Sequence, residues 1–391
     1  MLIKITKISK TTKSEHMQSP LNEEAIINQM PGFEGNLVSK TTHHILFGDA
    51  RSILAELSGR FALLVTSPPY PMIEMWDNTF SELDPAIRRA LDFRDDDVAF
   101  KLMHNQLDSV WTTAYTKLLG GGIACINIGD ATRKIDDTFK LYSNHSHILE
   151  TCTTLGFHAL PEILWRKQSN KPNKFMGSGM LPGGAYITQE HEYILVLRRG
   201  GKREFATDEQ KLNRRRSAFF WEERNKWFSD IWDDIKGDRQ ESNHENLRQR
   251  TAAYPFELCS RLISMFSARG DFVLDPYLGT ATTTLAAMAT GRNSVGIELD
   301  SRFSELIKSR VEKSAELANK FNLARLEAHL QFIKEQKAKG EKFKHQNVYY
   351  DFPVVTSQEE DLRLPFVKQV RETGDHSYEV EYSYDVPTTE L

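Results

Sequence analysis

The sequence predicts an α/β protein built on a doubly wound, mostly parallel sheet. Two stretches carry this prediction: ALLVTSPPYP (Ala62–Pro71) and DFVLDPYLGTATTTLAAMATGRNSVGIELD (Asp271–Asp300). Each contains uninterrupted apolar runs that stop at polar residues, the mark of strands covered on both faces, and helical spacing lies beside them. The chain has 391 residues, 40% hydrophobic and 27% charged, which suits one large α/β unit carrying an inserted region.

The first twenty residues, MLIKITKISKTTKSEHMQSP, are basic and polar, without the apolar core of a signal peptide, and residues 1–36 are expected to form a mobile leader or a nucleic-acid-binding arm. HHILFGDA (His43–Ala50) predicts a strand ending in Gly-Asp, RSILAELSGR a helix, and Ala62–Thr66 the next strand. A helix is predicted over Val98–Leu119, with Gly120, Gly121 and Gly122 as its C-cap, then a strand over Gly122–Asp130. A helix over Tyr142–Leu155 and a strand pair at Glu162–Lys167 and Glu192–Arg199 follow; the stretch from Gly200 to Gln249 has no clean period. Thr251–Gly270 reads as an amphipathic helix, and Ser301–Lys339 as helical with a break near Asn322. The remaining residues, 340–391, show weak strand signals and a loose acidic end. The expected divisions are a leader (1–36), a first α/β half (37–160), an inserted region containing the strand pair (161–250), a second α/β half (251–339) and a C-terminal extension (340–391).

Composition narrows the function classes. Cys125, Cys152 and Cys259 are far apart with no CxxC pair, which argues for a reducing compartment and against a disulfide framework or zinc ribbon. The twelve histidines show no ligand spacing, His145 and His147 read as loop residues, and no metal is expected. No apolar run approaches the roughly 18 residues needed to span a bilayer, so a cytoplasmic protein is expected. The formal charge of −4 hides a segregation: Pro161–Arg216 holds twelve basic residues against six acidic ones, interleaved with aromatics. Such a stretch suits phosphates and unstacked bases, or else a solvated surface.

The chemistry concentrates at strand ends. A strand ending in Asp275, a turn with Gly279 and a second strand ending in Glu298 form a nucleotide-type βαβ layout. Its acid is placed to grip ribose hydroxyls. GxGxxG and a P-loop lysine are both absent, which disfavours NAD and ATP. Ser67, Pro68, Pro69 and Tyr70 would sit at the ligand-binding edge of the same sheet, on a loop made rigid by two prolines.

TSPPY followed by DPYLGTATT and GIELD resembles the DNA amino-methyltransferases that use S-adenosylmethionine, and the SPPY form resembles the cytosine-N4 members most. FGDA, the WRK and EYILVLRR segments and AAYPFELCSRLI extend the resemblance over roughly 37–358, in the permuted β-class order. It implies a Rossmann-like fold and methyl transfer to a cytosine flipped out of duplex DNA, as the modification half of a pair with a restriction endonuclease. It also implies acceptors for the target amine at Ser67 and Pro68, a stacking face at Tyr70, and cofactor contacts at Asp49, Pro255, Phe256, Asp275, Tyr277, Gly279, Thr280 and Glu298. DNA contact is expected at Lys171, Lys174, Arg214, Arg215 and Arg216. Ala281 departs from the pattern, standing where a second glycine is commoner. An adenine-N6 enzyme, or a binding relative without turnover, would share most of these motifs; Ser67 disfavours the former, whose usual first residue is Asp or Asn.

Overall fold

A computed structural model describes residues 33–34, 37–135, 137–167, 176–237 and 254–387. Eleven strands among them form one mixed sheet: β1 (Lys40–Phe47), β2 (Phe61–Thr66), β3 (Leu118–Ile128), β4 (Phe157–Ala159), β5 (Ile163–Arg166), β6 (His191–Arg199), β7 (Ile231–Trp232), β8 (Phe272–Asp275), β9 (Asn293–Glu298), β10 (Phe366–Gly374) and β11 (Ser377–Ser383). The spatial order is β7-β5-β6-β3-β2-β8-β9-β1-β11-β10, with β4 also pairing to β6. The central five, β3, β2, β8, β9 and β1, are parallel. β6 joins antiparallel on one side and the β10–β11 hairpin on the other. β8 and β9 thus insert between strands from the start of the chain.

Among the described residues the α-helices are α1 (Ala50–Glu56), α2 (Asp77–Leu83), α3 (Pro85–Asp92), α4 (Asp96–Lys117), α5 (Asn144–Thr154), α6 (Asp208–Arg216), α7 (Trp221–Trp227), α8 (Phe256–Phe266), α9 (Thr282–Thr290), α10 (Ser304–Glu312) and α11 (Ser314–Ala338). On β3, Ala124, Ile126 and Ile128 pack with α1, α4 and α5, while Ile123 and Cys125 pack with α8 and α9. Two covered faces explain why these strands read as unbroken apolar runs. Leu54, Trp111 and Ile148 fill one layer, and Leu258, Leu262 and Ala287 fill the other.

Several expectations need correction. Gly120, Gly121 and Gly122 do not cap a helix. Leu118 caps α4, and the glycines lie inside β3. Gly121 has φ +79°, and a Cβ there would come within 2.4 Å of the Arg203 backbone, so a close-packed chain demands this glycine. The break in the long helical region falls at Lys313; Asn322 sits buried inside α11 and donates to the carbonyls of Ala289 and Pro365. Of the helix expected from Thr251, the described part begins at Phe256, after Pro255, and residues 251–253 lie outside the described residues. His145 and His147 lie on α5, not in a loop. The described part of the extension is ordered into the sheet: β11 pairs along β1, burying Tyr378, Val380 and Tyr382, while residues 388–391 of the expected loose end lie outside the described residues. Residues 1–32 of the expected leader lie outside the described residues. No helix among the described residues is long and apolar enough to cross a membrane.

Candidate active site

The parallel strands deliver their polar ends to one edge. β1 ends at Gly48-Asp49, β2 at Ser67-Pro68-Pro69-Tyr70, β8 at the Asp275–Gly279 turn and β9 at Glu298. Between them opens a cleft of about 610 Å³ lined by Asp49, Ser67, Tyr70, Tyr277, Gly279 and Glu298, with Pro68, Pro69 and Thr280 also on its wall. The strand ends are bonded to one another. Thr66 Oγ1 donates to Asp275 at 2.6 Å, and the Gly48 N–H donates to the Glu298 carbonyl at 2.8 Å. The Asp275–Gly279 turn and the SPPY loop therefore share one rigid floor.

Asp275 faces inward from that floor. It accepts from Thr66, Thr283, the Tyr254 hydroxyl and the Tyr277 N–H. Burial pushes its pKa up even against these four donors. Its work is to hold the turn, and Tyr254 beside it lines the cleft. Gly279 takes φ +57°, and a Cβ there would meet nothing within 4 Å, entering the cleft instead. Its N–H donates to Glu298 Oε2 at 2.7 Å, and the Asp300 N–H donates to Oε1 at 2.9 Å. Burial raises the Glu298 carboxyl to about 7 despite those donors.

Thr282, at the start of α9, lines the cleft with a buried hydroxyl that has no protein partner. An open-faced glycine, an orphaned hydroxyl beside a helix N-terminus and a carboxylate at the next strand end fit a nucleoside bearing an amino-acid chain. Ala281 keeps the left-handed conformation at φ 65°. Its fully buried methyl packs in the core with Leu278 and Leu285, so the missing glycine does not narrow the cleft.

Asp49 caps α1 through the Arg51 N–H, and Arg51 Nε lies 2.9 and 3.0 Å from its two oxygens. Burial would raise this carboxyl, but Arg51 outweighs it and holds the pKa below the ordinary value. Tyr277 lines the cleft with its ring edge-on to Trp111. Pro255 and Phe256 stand back from the cleft wall. Pro255 caps α8, and Phe256 packs edge-on against Phe321 of α11.

The SPPY loop rests on a polar network. The Tyr70 hydroxyl donates to Glu192 Oε2 at 2.8 Å, receives the Asn127 amide at 2.8 Å and lies 3.1 Å from Ser67 Oγ. Asn127 also donates to Glu192 at 2.7 Å, and Lys167 pairs with the other Glu192 oxygen at 2.8 Å. Since Tyr70 gives its proton to Glu192, Ser67 gives its own to Tyr70. One Ser67 lone pair then faces the Asn127 amide at 3.4 Å, and the other is left to accept from a ligand. Gly129 makes room for this ring, because a Cβ there would lie 2.9 Å from Tyr70. Burial, then the Glu192 charge, holds the Tyr70 hydroxyl protonated.

The expected DNA-contact arginines are not brought to this cleft. Arg203 pairs with Asp271, and Asn213 donates to the Arg269 carbonyl, so α6 lies at the amino end of β8, away from the cleft. There Arg215 pairs with Asp361, Arg216 donates to the Tyr349 hydroxyl, and Arg214 covers Phe205. The charge run reads as basic in sequence, yet the fold spends Arg215 and Arg216 on the C-terminal extension. Lys171 and Lys174 lie outside the described residues. The segments leaving β3 and β5 do reach the cleft side. They include the hairpin Ala131–Ile135/Thr138–Tyr142 and the hairpin Met176–Gly177/Ala185–Tyr186, joined by stacking of Phe139 on Tyr186 at 4.5 Å.

Residues 61–309 match the family model described as DNA methylase, N6_N4_Mtase. The chain belongs to the N6/N4 DNA methylase family. As a DNA methyltransferase it is 48% identical over 352 residues to the type II methyltransferase M.MthZI of Methanothermobacter thermautotrophicus, covering 90% of this chain and 98% of that one. It is 47% identical over 282 residues to M.MjaI of Methanocaldococcus jannaschii, covering 69% and 91%. Among solved structures, a DNA modification methylase of Thermus thermophilus, TTHA0409, in complex with S-adenosyl-L-methionine aligns at a TM-score of 0.54 and 32% identity, covering 70% of this chain and 94% of that one.

Sequence reasoning missed Asn127, Glu192 and Lys167 around the SPPY loop, and Tyr254 and Thr282 around the Asp275–Gly279 turn. Glu192 carried a signal, as an acid entering the apolar strand EYILVLRR with no surface to occupy. Thr282 lay within the quoted turn, but its run of threonines did not say which hydroxyl faces the cleft.

Proposed function

We propose that this chain is a site-specific methyltransferase of type II modification systems that methylates the exocyclic N4 amine of cytosine. S-adenosylmethionine is the cofactor, and when bound it supplies an electrophilic methyl group on a sulfonium. Glu298 receives its ribose hydroxyls, Asp49 its adenine amine, and Thr282 with the start of α9 its carboxylate. The observation that carries the reading is the SPPY loop facing the Gly279–Glu298 turn across one cleft, with Ser67 left as an acceptor. A cytosine amine is a poor nucleophile because its lone pair is delocalised into the ring. Acceptors at Ser67 Oγ and the Pro68 carbonyl draw its N–H groups out of plane, and two prolines hold those acceptors where charge develops. The base must leave the duplex to reach them, and the Tyr70 ring gives it a stacking face. Target choice falls to the cleft-side segments after β3 and β5 and the lysines Lys171 and Lys174, and a restriction endonuclease is the expected functional partner.

The test is to incubate the protein with labelled S-adenosylmethionine and mixed-sequence DNA, then to identify the modified nucleoside. N4-methylcytosine is expected, and Ser67→Ala should lower turnover on the order of 10²–10³-fold with cofactor affinity retained. N6-methyladenine as the product, or wild-type turnover in Ser67→Ala, overturns the assignment.

A further inference from the structure

A second cluster of reactive side chains lies beneath the catalytic loop, where α4 meets α5. His104 and Asp108 stand four residues apart on one face of α4, and His147 reaches them from α5. One candidate ligand atom from each lies within 4.8 Å of the others. The imidazoles of His104 and His147 overlap with ring centroids 4.0 Å apart.

Hydrogen bonding assigns the His104 tautomer. Asn144 donates its amide to the carbonyls of Pro71 at 3.1 Å and Gly129 at 3.0 Å, so its Oδ1 is the acceptor. His104 Nε2, 3.0 Å from that oxygen, therefore carries the ring proton. Nδ1 is left with a lone pair, on a side chain 0% exposed, and has no partner in the protein. Asp108 shows the same pattern. Its Oδ2 lies 3.2 Å from His147 Nε2, while its Oδ1 is buried without a partner. Two dehydrated acceptors at one place are costly unless something there satisfies both.

We propose that His104, Asp108 and His147 form a binding site for a divalent transition-metal cation of the zinc type. Two imidazole nitrogens and a carboxylate oxygen are a donor set that such ions take, with water completing the coordination. The cation binds the His104 Nδ1 lone pair and draws the carboxylate of Asp108 and the ring of His147 together, pinning α4 to α5. Asn144 then passes this constraint to Pro71, the residue after Tyr70. The ion takes no part in methyl transfer; it stiffens the support of the loop. The site goes beyond the proposed reaction, and its test needs neither DNA nor S-adenosylmethionine.

The experiment uses full-length protein purified without a histidine tag, stripped with EDTA and titrated with ZnCl₂ or CoCl₂ alone. About one zinc per chain should survive gel filtration, and cobalt should give visible d–d absorption. Zinc should raise Tm by about 2–4 °C, reversibly with EDTA. His147→Ala and Asp108→Asn should weaken binding about tenfold or more. His145→Ala, two residues away and paired with Asp130 instead, should bind as wild type. Wild-type protein that takes up no zinc or cobalt at micromolar concentration overturns the proposal, as do equal stoichiometry and affinity in His147→Ala and Asp108→Asn.

Discussion

Glu298 is held by two backbone N–H groups, yet its carboxyl is raised to about 7 because burial strips its water. Hydroxyl donors from a ribose favour the charged form, so binding competes with protonation in a window just below neutrality. Cofactor affinity should therefore fall as pH drops below about 7, approaching tenfold per pH unit. Calorimetry at pH 6 and 8, in buffers of different ionisation heat, should detect proton release at pH 6 only. Glu298→Gln should bind more weakly and show no such dependence, and pH-independent wild-type affinity would defeat the assignment. Glu298 itself was legible as a strand-end acid, since the residues of the βαβ turn are contiguous. Its electrostatic state was not, because that depends on Gly279 and Asp300 N–H groups oriented by the fold. The same holds for Ser67, whose donor order passes through Tyr70 to Glu192, a residue far along the chain.

The C-terminal hairpin turns a supposed tail into part of the sheet. β11 runs antiparallel to β1, pairing Ser377 with His44 and Val380 with Thr41. The Tyr382 hydroxyl donates to the Met288 carbonyl at 2.7 Å and lies 2.8 Å from Thr41 Oγ1, tying β11 to α9 and β1. Tyr382→Phe removes the shorter of two bonds to that carbonyl, leaving the Gly291 N–H at 3.4 Å, and should cost about 1 kcal/mol. The expected readout is a lower urea midpoint with unchanged cofactor affinity; an unchanged midpoint would return the hairpin to the role of an appendage. The alternation in SYEVEYS was a readable strand signal, but the acidic surroundings masked it and nothing local names β1 as the partner. The central strands were easier, because burial on both faces leaves an unbroken apolar run. The glycines at 120–122 misled because a glycine that ends a helix and one that admits a crossing chain look alike in sequence.

At the scale of the whole molecule, two buried groups give the fold opposite responses to acid. His43 lies where β1 meets β9, with Nδ1 2.8 Å from Ser294 Oγ and Nε2 2.8 Å from Thr41 Oγ1. Burial, reinforced by His44, lowers its pKa to about 3. The unfolded chain takes this proton near 6.5 and the folded chain does not. The His43 contribution is therefore complete above pH 6.5 and is lost as pH falls toward 3, amounting to about 2 kcal/mol by pH 5. Glu298 runs the other way. Its folded pKa lies above its unfolded value of 4.5, so its contribution is complete below 4.5 and is lost as pH rises through about 7. Between pH 5 and 7 the two largely offset each other, and His44, lowered to about 4 by burial, tips the sum toward acid sensitivity. Substitution should separate them. Urea unfolding at pH 5, 6, 7 and 8 should show His43→Gln losing less stability on acidification than wild type, and Glu298→Gln losing more. Parallel curves for all three proteins would mean that neither group is dehydrated as the fold requires, and slopes displaced in the same direction would exclude at least one of the two assignments.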